Sequence, residues 1–167
     1  MGVISNHQVL EPLVQKFDVP FHFISHEGHS REEHEELVTA QIEEYSPDYL
    51  VLAKYMRILN PSFIAPMRNR IINIHHSFLP AFVGAKPYHQ AYARGVKIIG
   101  ATAHFVNENL DEGPIITQST GRVNHSHNAE RMALMGKEIE SRVLSEAINL
   151  VLDDKVFIYG NRTVILD

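Results

Sequence analysis

The chain contains no cysteine among its 167 residues. Disulfide bonds and catalysis by a thiol are therefore excluded, and this composition fits the reducing cytoplasm. The sequence also lacks an uninterrupted apolar run of the roughly 18 residues that a membrane-spanning helix needs. No charged stretch followed by an apolar one, the mark of a secretory signal peptide, opens the chain. We therefore expect a cytoplasmic protein with no membrane partner.

Positive charge is also scarce. Lysine and arginine together number 15 against 20 acidic residues, which gives a formal net charge of −5. Proteins that bind nucleic acid through its phosphates normally carry a basic patch, so no nucleic-acid partner is expected. The length and the 44% hydrophobic content are those of an ordinary globular protein with a real core. We expect residues 1–167 to form a single domain.

Several catalytic and metal-binding signatures are missing. No Gly-x-Gly-x-x-Gly opens a helix, and Ser77 is not surrounded by a Gly-x-Ser-x-Gly elbow. There is no His-Glu-x-x-His among the 11 histidines, and His125 and His127 have no third ligand nearby in the sequence. The early histidines lack a fixed ligand spacing; they are His22, His26, His29 and His34. We therefore expect no metal and no prosthetic group.

Short apolar runs alternate with amphipathic stretches along the chain. Strands are predicted at 3–4, 21–24, 49–53, 70–75, 98–106 and 115–119, and a terminal hairpin at 156–159 and 163–166. Strand and helix in repeated order indicate a mostly parallel sheet with right-handed crossovers. We expect a three-layer α/β fold with helices on both faces of the sheet.

Three helices stand out. One is predicted over 31–44, with Ser30 as its N-cap and Glu33 completing a capping box. Its inner face is predicted to carry Leu37, Ala40, Gln41 and Ile42. A second helix begins at Pro87 and ends near Gly95. The longest runs over 128–152, and its apolar stripe is predicted to pack in the core, with no polar group converging on it.

A polar pair at the end of an apolar strand is the most informative feature. Side chains alternate along a strand, so Asn73 and His75 point to one face while the isoleucines between and beside them point to the other. Both can donate hydrogen bonds of the kind that stabilise an oxyanion. Asp111, in the acidic turn 110–114, is the carboxylate best placed to orient or charge the imidazole. The alternatives are a strand-end hydrogen bond for Asn73 and an ordinary core position for His75.

Five motifs carry a family resemblance. They are Asn73-Ile-His75, Ser77-Phe-Leu-Pro80, Gly95-Val-Lys97, Thr102-Ala-His104 and Asp111-Glu-Gly113-Pro-Ile-Ile116. Together they resemble the folate-dependent formyltransferase family over nearly the whole chain, down to Tyr159-Gly-Asn-Arg-Thr163. The segments 75–82 and 84–91 resemble the 10-formyltetrahydrofolate deformylase branch. Both overlap the loop 76–84 that follows the strand ending at His75. Glycinamide ribonucleotide transformylases usually have proline where this chain has His76.

The resemblance implies a function. It predicts hydrolysis of 10-formyltetrahydrofolate to formate and tetrahydrofolate, which supplies formate for purine biosynthesis and balances one-carbon pools. Asn73 and His75 would then bind the formyl oxygen, with Asp111 holding His75 or the attacking water. A pterin pocket is implied at Met56, Arg57, Ile58, Leu59, Val106, Asn107, Glu108 and Leu110. Thr102 and His104 would lie next to these catalytic residues and position them without contacting the substrate.

Two alternatives remain open: a transferase acting on an amine such as glycinamide ribonucleotide, and an inactive folate-binding fragment. The resemblance also implies a Rossmann-like formyltransferase fold that lacks the usual first strand and helix. Deformylases usually carry an N-terminal ACT domain as well, and none is present. We therefore expect the chain to be the C-terminal portion of a longer protein. Without the usual first strand and helix, an edge of the sheet would be exposed. We expect self-association, most simply as a homodimer, to cover that edge.

Overall fold

The computed structural model describes residues 1–80 and 87–166. Residues 81–86, which include part of the predicted loop 76–84, lie outside the described residues. Where the sequence predicts one domain, the chain divides into two compact units, Met1–Asp48 and Tyr49–Asp167. The division arises because the main hydrophobic cluster draws all its members from the second unit. The strands of the first unit form a separate two-stranded sheet.

The first unit holds a short parallel sheet and one long helix. Strand β1 (Val3–Ser5) pairs with β2 (Phe21–Phe23), and α1 (Glu11–Val14) lies between them in sequence. Helix α2 (Arg31–Tyr45) begins at the predicted capping box. The Glu33 backbone N–H donates to Ser30 Oγ at 3.1 Å, and the Ser30 N–H donates to Glu33 Oε2 at 2.7 Å. The predicted start of this helix is confirmed, because the box pairs two N–H groups that the first turn leaves free.

The predicted inner face of α2 is wrong at Leu37 and Ala40, whereas Gln41 and Ile42 are half-buried. The buried residues are His34, Glu35 and Val38, whereas Leu37 is 44% exposed and Ala40 is exposed as well. His34 Nε2 contacts the Ile24 carbonyl oxygen at 3.2 Å, so a polar side chain is buried here with a partner. A polar contact of this kind lets the helix bury a face that its apolar spacing does not indicate.

The second unit is built on a four-stranded sheet. Its strands, in spatial order, are β3 (Leu50–Leu52), β4 (Ile71–His75), β5 (Ile98–Phe105) and β6 (Ile115–Arg122). The α/β class is confirmed, and β3 and β4 run parallel as predicted. However, β5 runs antiparallel to β4, and β6 runs antiparallel to β5.

The register shows where β5 enters the sheet. Helix α4 (Pro87–Arg94) precedes β5 in the chain. Thr102 of β5 pairs with His75 and Phe105 pairs with Ile72, so β5 enters the sheet beside the carboxyl end of β4 and runs back toward its amino end. The nine-residue loop 106–114 then returns β6 alongside β5.

The remaining elements cover the sheet. Helix α3 (Pro61–Ile64) is short, and α5 (Ala129–Leu152) is the longest helix, with Asn128 Oδ1 accepting the Arg131 N–H at 2.8 Å. Val143 and Ala147 of α5 are fully buried in the main cluster, as the apolar stripe predicts. The predicted terminal hairpin is present as β7 (Val156–Tyr159) and β8 (Arg162–Ile165). No helix within the described ranges is both long and apolar enough to cross a membrane.

A glycine shapes the loop between β5 and β6. A Cβ on Gly113 would overlap the backbone carbonyl oxygen of Phe105, whose own N–H donates to the Pro114 carbonyl at 2.8 Å. Backbone cannot yield as a flexible side chain can, so only glycine fits between these two strands.

We expect Gly113→Ala to lower the free energy of unfolding by about 2–3 kcal/mol, because the added methyl group must push two paired strands apart. Urea denaturation measures this loss. Gly121→Ala is the matched control in the same sheet, because its methyl group would meet only the tip of the Ile139 side chain at 3.0 Å. Equal losses in the two variants would contradict this explanation.

Candidate active site

Two neighbouring strands present polar side chains on one face. Asn73 and His75 lie two residues apart on β4, and their cross-strand partners on β5 are His104 and Thr102. His75, His104 and Thr102 are buried, whereas Asn73 is half-buried. The predicted alternation therefore places Asn73 and His75 together, and the antiparallel direction of β5 adds two more polar groups to that face.

The loop between β5 and β6 brings a carboxylate to this face. Asp111 Oδ2 lies 3.2 Å from His75 Nδ1, so the predicted contact between these side chains is present. Both side chains are nearly buried, at 10% and 6% exposure. The Asp111 backbone is left-handed, with φ of 57°, a conformation that aspartate tolerates better than most residues.

His104 connects Asn73 to the carboxylate. Its Nδ1 lies 2.9 Å from the Phe105 carbonyl oxygen, a contact that places the proton of a neutral ring on Nδ1. Nε2 can then accept from the Asn73 amide nitrogen at 3.2 Å. An amide nitrogen carries two hydrogens, so the second remains available to a ligand. Asp111 Oδ1 lies 3.7 Å from His104 Nε2, a longer contact than the one with His75.

The electrostatics keep Asp111 ionised. Burial alone would raise the pKa of this carboxyl, but the facing imidazoles of His104 and His75, with the positive charge those rings can carry, hold its pKa well below the usual range. We regard His75 as the principal partner because its contact is the shorter. A fixed negative charge therefore stands beside His75 at every ordinary pH.

One ring nitrogen of His75 has no partner. Nε2 is buried and makes no hydrogen bond with any of the described residues, although Nδ1 contacts Asp111. A buried polar atom without a partner costs about 1–3 kcal/mol and calls for an explanation such as a bound ligand; the described residues include one other, His34 Nδ1 in the first unit. His75 Nε2 is therefore the atom of the site best suited to meet a ligand.

Thr102 holds the loop that follows β4. Its hydroxyl donates to the Ser77 carbonyl at 2.9 Å and accepts the Leu79 N–H at 3.0 Å. Gln118 of β6 adds bonds to the Thr102 hydroxyl at 2.8 Å and the Leu79 carbonyl at 3.2 Å. Sequence reasoning missed Gln118, since nothing in a strand pattern identifies which side chain reaches a neighbouring loop.

A buried polar pair lies beside the site. Tyr88 donates to Glu140 Oε1 at 2.7 Å, and His76 lies between the rings of Tyr88 and His75, at 6.2 and 5.3 Å. Burial, and the nearby His75, lower the pKa of His76, whereas burial and the Glu140 bond raise that of Tyr88. The prediction that no polar group converges on the α5 stripe is therefore wrong. Glu140 is buried there because Tyr88 fits against Gly136, which has no side chain.

The implied pterin segments occupy two loops. Met56, Arg57, Ile58 and Leu59 follow β3, at the edge where the parallel strand β4 also ends. Val106, Asn107, Glu108 and Leu110 lie in the loop that carries Asp111. Met56, Ile58 and Leu110 are each more than half exposed, which leaves apolar surface free for a ring. Their role in binding a pterin stays a prediction.

Cavities and metal-binding groups do not lead to this site. A cavity of about 900 Å³ runs along α5, and one of about 400 Å³ lies in the first unit. Neither is lined by Asn73, His75 or Asp111. Within residues 1–80 and 87–166, no three histidine or acidic side chains are grouped so that they could hold a metal ion. The arrangement of donors around one ionised carboxylate is what distinguishes the site.

Comparisons with known proteins show the family to which the chain belongs. The family described as Formyl transferase matches residues 1–148. The formyltetrahydrofolate deformylases of Haemophilus influenzae and Bacillus subtilis are 60% and 48% identical over 165 residues, 99% of this chain. The chain spans 59% and 55% of the length of those two relatives.

Solved structures give the same result. A formyltetrahydrofolate deformylase from Pseudomonas syringae pv. tomato superposes with a TM-score of 0.95 at 44% identity, covering 99% of this chain and 56% of that one. Glycinamide ribonucleotide transformylase 1 from Symbiobacterium toebii has a TM-score of 0.91 at 34% identity, covering 100% and 81%. The formyltransferase-type α/β fold is thereby confirmed.

We expect the Asp111 carboxylate to stabilise the fold in a pH-dependent way. Because its folded pKa lies below the ordinary value of about 3.9, its contribution is full above that value and is lost as the pH falls through the folded pKa. The stability difference between wild type and Asp111→Asn should therefore be larger at pH 7 than at pH 2. Urea denaturation across this range measures it.

Glu112→Gln is the matched control, because the neighbouring Glu112 is exposed and its carboxylate forms no ion pair with the described residues. A difference between wild type and Asp111→Asn that does not change with pH would show that the ionised carboxylate is not stabilised by the fold.

Proposed function

The chain belongs to the formyl transferase family, and from that premise we propose that it hydrolyses 10-formyltetrahydrofolate to formate and tetrahydrofolate. Water would form a new bond to the formyl carbon, the bond from that carbon to nitrogen would break, and the nitrogen would receive a proton. One observation carries the proposal: among the described residues His75 Nε2 has no partner, while Asp111 contacts the other ring nitrogen and Asn73 lies on the same strand face.

Hydrolysis of the formyl group needs hydrogen-bond donors that stabilise an oxyanion. When water attacks, the formyl oxygen becomes negative, and each well-aimed donor stabilises that charge, typically by a factor of about 10²–10³ in rate. Asn73 offers its second amide hydrogen, because the first is directed at His104. Protonated His75 offers Nε2–H, since Nδ1 faces Asp111. Two donors from one strand face can therefore meet one oxygen.

Asp111 contributes its charge. An ionised carboxylate 3.2 Å from Nδ1 fixes the orientation of the His75 ring and stabilises the imidazolium that donates to the oxyanion. The same carboxylate would hold the attacking water. Asp111 remains ionised through the reaction because two neighbouring imidazoles hold its pKa low.

The folate ring would lie between the two loops that flank the site. Backbone groups and the apolar side chains of Met56–Leu59 would hold one side of the pterin, and Val106–Leu110 would hold the other. The exposed Met56, Ile58 and Leu110 supply the apolar surface such a ring needs. Thr102 and His104 would position the donors without touching the substrate. No prosthetic group is required.

Hydrolysis is favoured over transfer to an amine by the degree of similarity. The deformylases are 60% and 44% identical to this chain, whereas the transformylase is 34% identical. His76 also stands where the transformylases usually have proline. Transfer to an amine acceptor remains the second candidate, because the transformylase has nearly the same backbone, with a TM-score of 0.91.

We further propose that the reaction takes place in the cytoplasm, where release of formate and tetrahydrofolate would supply formate for purine biosynthesis and balance one-carbon pools.

We also propose that the chain associates with itself. Val9, Leu10, Leu13 and Phe17 are each at least half exposed, and an apolar group of this kind on a short segment of the first unit is typical of a surface covered by another chain.

Formate release tests the function. We expect the purified chain to release formate from 10-formyltetrahydrofolate at the same rate with and without glycinamide ribonucleotide. Consumption of the folate only when the amine is present would favour the transferase instead. Tight binding of the folate with no turnover under either condition would leave only a folate-binding role.

Variants test the assignment of roles. We expect Asp111→Asn and Asn73→Ala each to lower kcat by about 10²–10³-fold, because each removes charge or a donor from the transition state. The same formate assay measures both. Asn124→Ala is the control, because among the described residues the Asn124 side chain bonds only to others of the turn 124–127. A variant of Asp111 that keeps full activity would make that carboxylate structural only.

Light scattering tests self-association. We expect a mass above 19.0 kDa that rises with concentration, most simply that of a dimer. Phe17→Ser should shift the distribution toward monomer, since Phe17 is 71% exposed and its loss would weaken an apolar contact between chains. A concentration-independent monomer would contradict the proposal.

A further inference from the structure

The terminal hairpin contacts the loop that carries Asp111. Asn161, in the turn between β7 and β8, donates from Nδ2 to the Glu112 carbonyl at 2.9 Å. Thr163 on β8 donates from Oγ1 to the Ile115 carbonyl at 2.6 Å. These carbonyls belong to the residues one and four positions after Asp111. Both donors lie beyond residue 148, where the family match ends.

The loop has few bonds of its own near Asp111. Asn107 Oδ1 accepts the Asn109 N–H at 3.0 Å, and the Glu112 N–H reaches the Asn109 carbonyl only at 3.5 Å. The Asp111 backbone itself is left-handed, which costs a non-glycine residue of order 1 kcal/mol or more. Contacts from outside the loop, with His75 at the Asp111 side chain and with the hairpin at the backbone, therefore help to hold this conformation.

We propose that Asn161 is a positioning residue, which holds the loop so that the Asp111 carboxylate stays at His75. The Asn161 amide fixes the direction of the Glu112 carbonyl, and so the plane of the Glu112–Gly113 peptide, one residue beyond Asp111. If that peptide turns, the Glu112 backbone turns with it, the adjoining Asp111 backbone is free to leave the left-handed region, and the carboxylate moves away from His75 Nδ1. The inference rests on the proposed function only in its effect on turnover.

Position matters because the contact is short. The Asp111–His75 separation is 3.2 Å, and a displacement of about 1 Å would break the hydrogen bond. Misplacement of a catalytic group by that distance can cost about 10²-fold in rate. Asn161 is exposed, however, so water can partly replace its amide, and a loss of about 10-fold is expected.

Two variants of neighbouring hairpin residues test the proposal. Asn161→Leu keeps a similar volume and removes the donor. Arg162→Ala, the matched control, removes an exposed side chain that makes no hydrogen bond or ion pair with the described residues. We expect Asn161→Leu to lower kcat about 10-fold with KM unchanged, whereas Arg162→Ala keeps the wild-type kcat. Thr163→Val, which removes the bond farther from Asp111, should have a smaller effect than Asn161→Leu.

A second readout separates this proposal from the proposed function. In wild type and Arg162→Ala, proton NMR should show a downfield Nδ1–H resonance of His75, bonded to Asp111. In Asn161→Leu we expect that resonance to move upfield or broaden, with urea denaturation showing a folded protein. An unchanged resonance and an unchanged kcat in Asn161→Leu would overturn the proposal. If wild type releases no formate, the resonance alone still decides it.

Should Asn161→Leu fail to fold, Asn161→Ser takes its place, because serine is small, polar and well tolerated in a turn but cannot span the same distance to the Glu112 carbonyl. The same two outcomes apply: displacement of the His75 resonance supports the positioning role, and a wild-type resonance with wild-type turnover overturns it.

Discussion

The contact between Asp111 and His75 is the interaction on which the site depends. One partner lies on a central strand and the other in a loop, so the fold must bring them together and hold them at 3.2 Å. Their charges support each other: the carboxylate stays ionised because imidazoles face it, and the imidazole has a fixed acceptor on Nδ1. This arrangement leaves Nε2 of His75 without a partner among the described residues, on the strand face that His75 shares with Asn73.

Three parts of the second unit maintain that contact. Antiparallel β5 places His104 opposite Asn73, so that it reaches both the amide and the carboxylate. Gly113 lets the loop pass close to Phe105, where any side chain would be excluded. Thr102 fixes the loop that follows His75. The sheet thus acts mainly as a rigid frame for a small group of donors and one charge.

The sequence predicts those features that depend on local spacing. Asn73 and His75 share a face because strand side chains alternate, and the Ser30–Glu33 capping box begins α2 because it satisfies free N–H groups. Features that depend on contacts between residues far apart in the sequence cannot be predicted in this way. The antiparallel direction of β5 depends on its pairing with β4, and the buried face of α2 depends on a contact between His34 and Ile24. The Tyr88–Glu140 pair joins residues 52 positions apart, which periodicity cannot reveal.

The most direct test follows His75 Nε2 itself. With ¹⁵N-labelled histidine, NMR can report this nitrogen as a formyl-bearing tetrahydrofolate that resists hydrolysis is added. We expect the His75 Nε2 resonance to shift on binding, because it gains its missing partner, while the Nδ1 resonance keeps the position set by Asp111. Saturable binding that leaves Nε2 unchanged would show that the formyl group lies elsewhere and would contradict the proposed site.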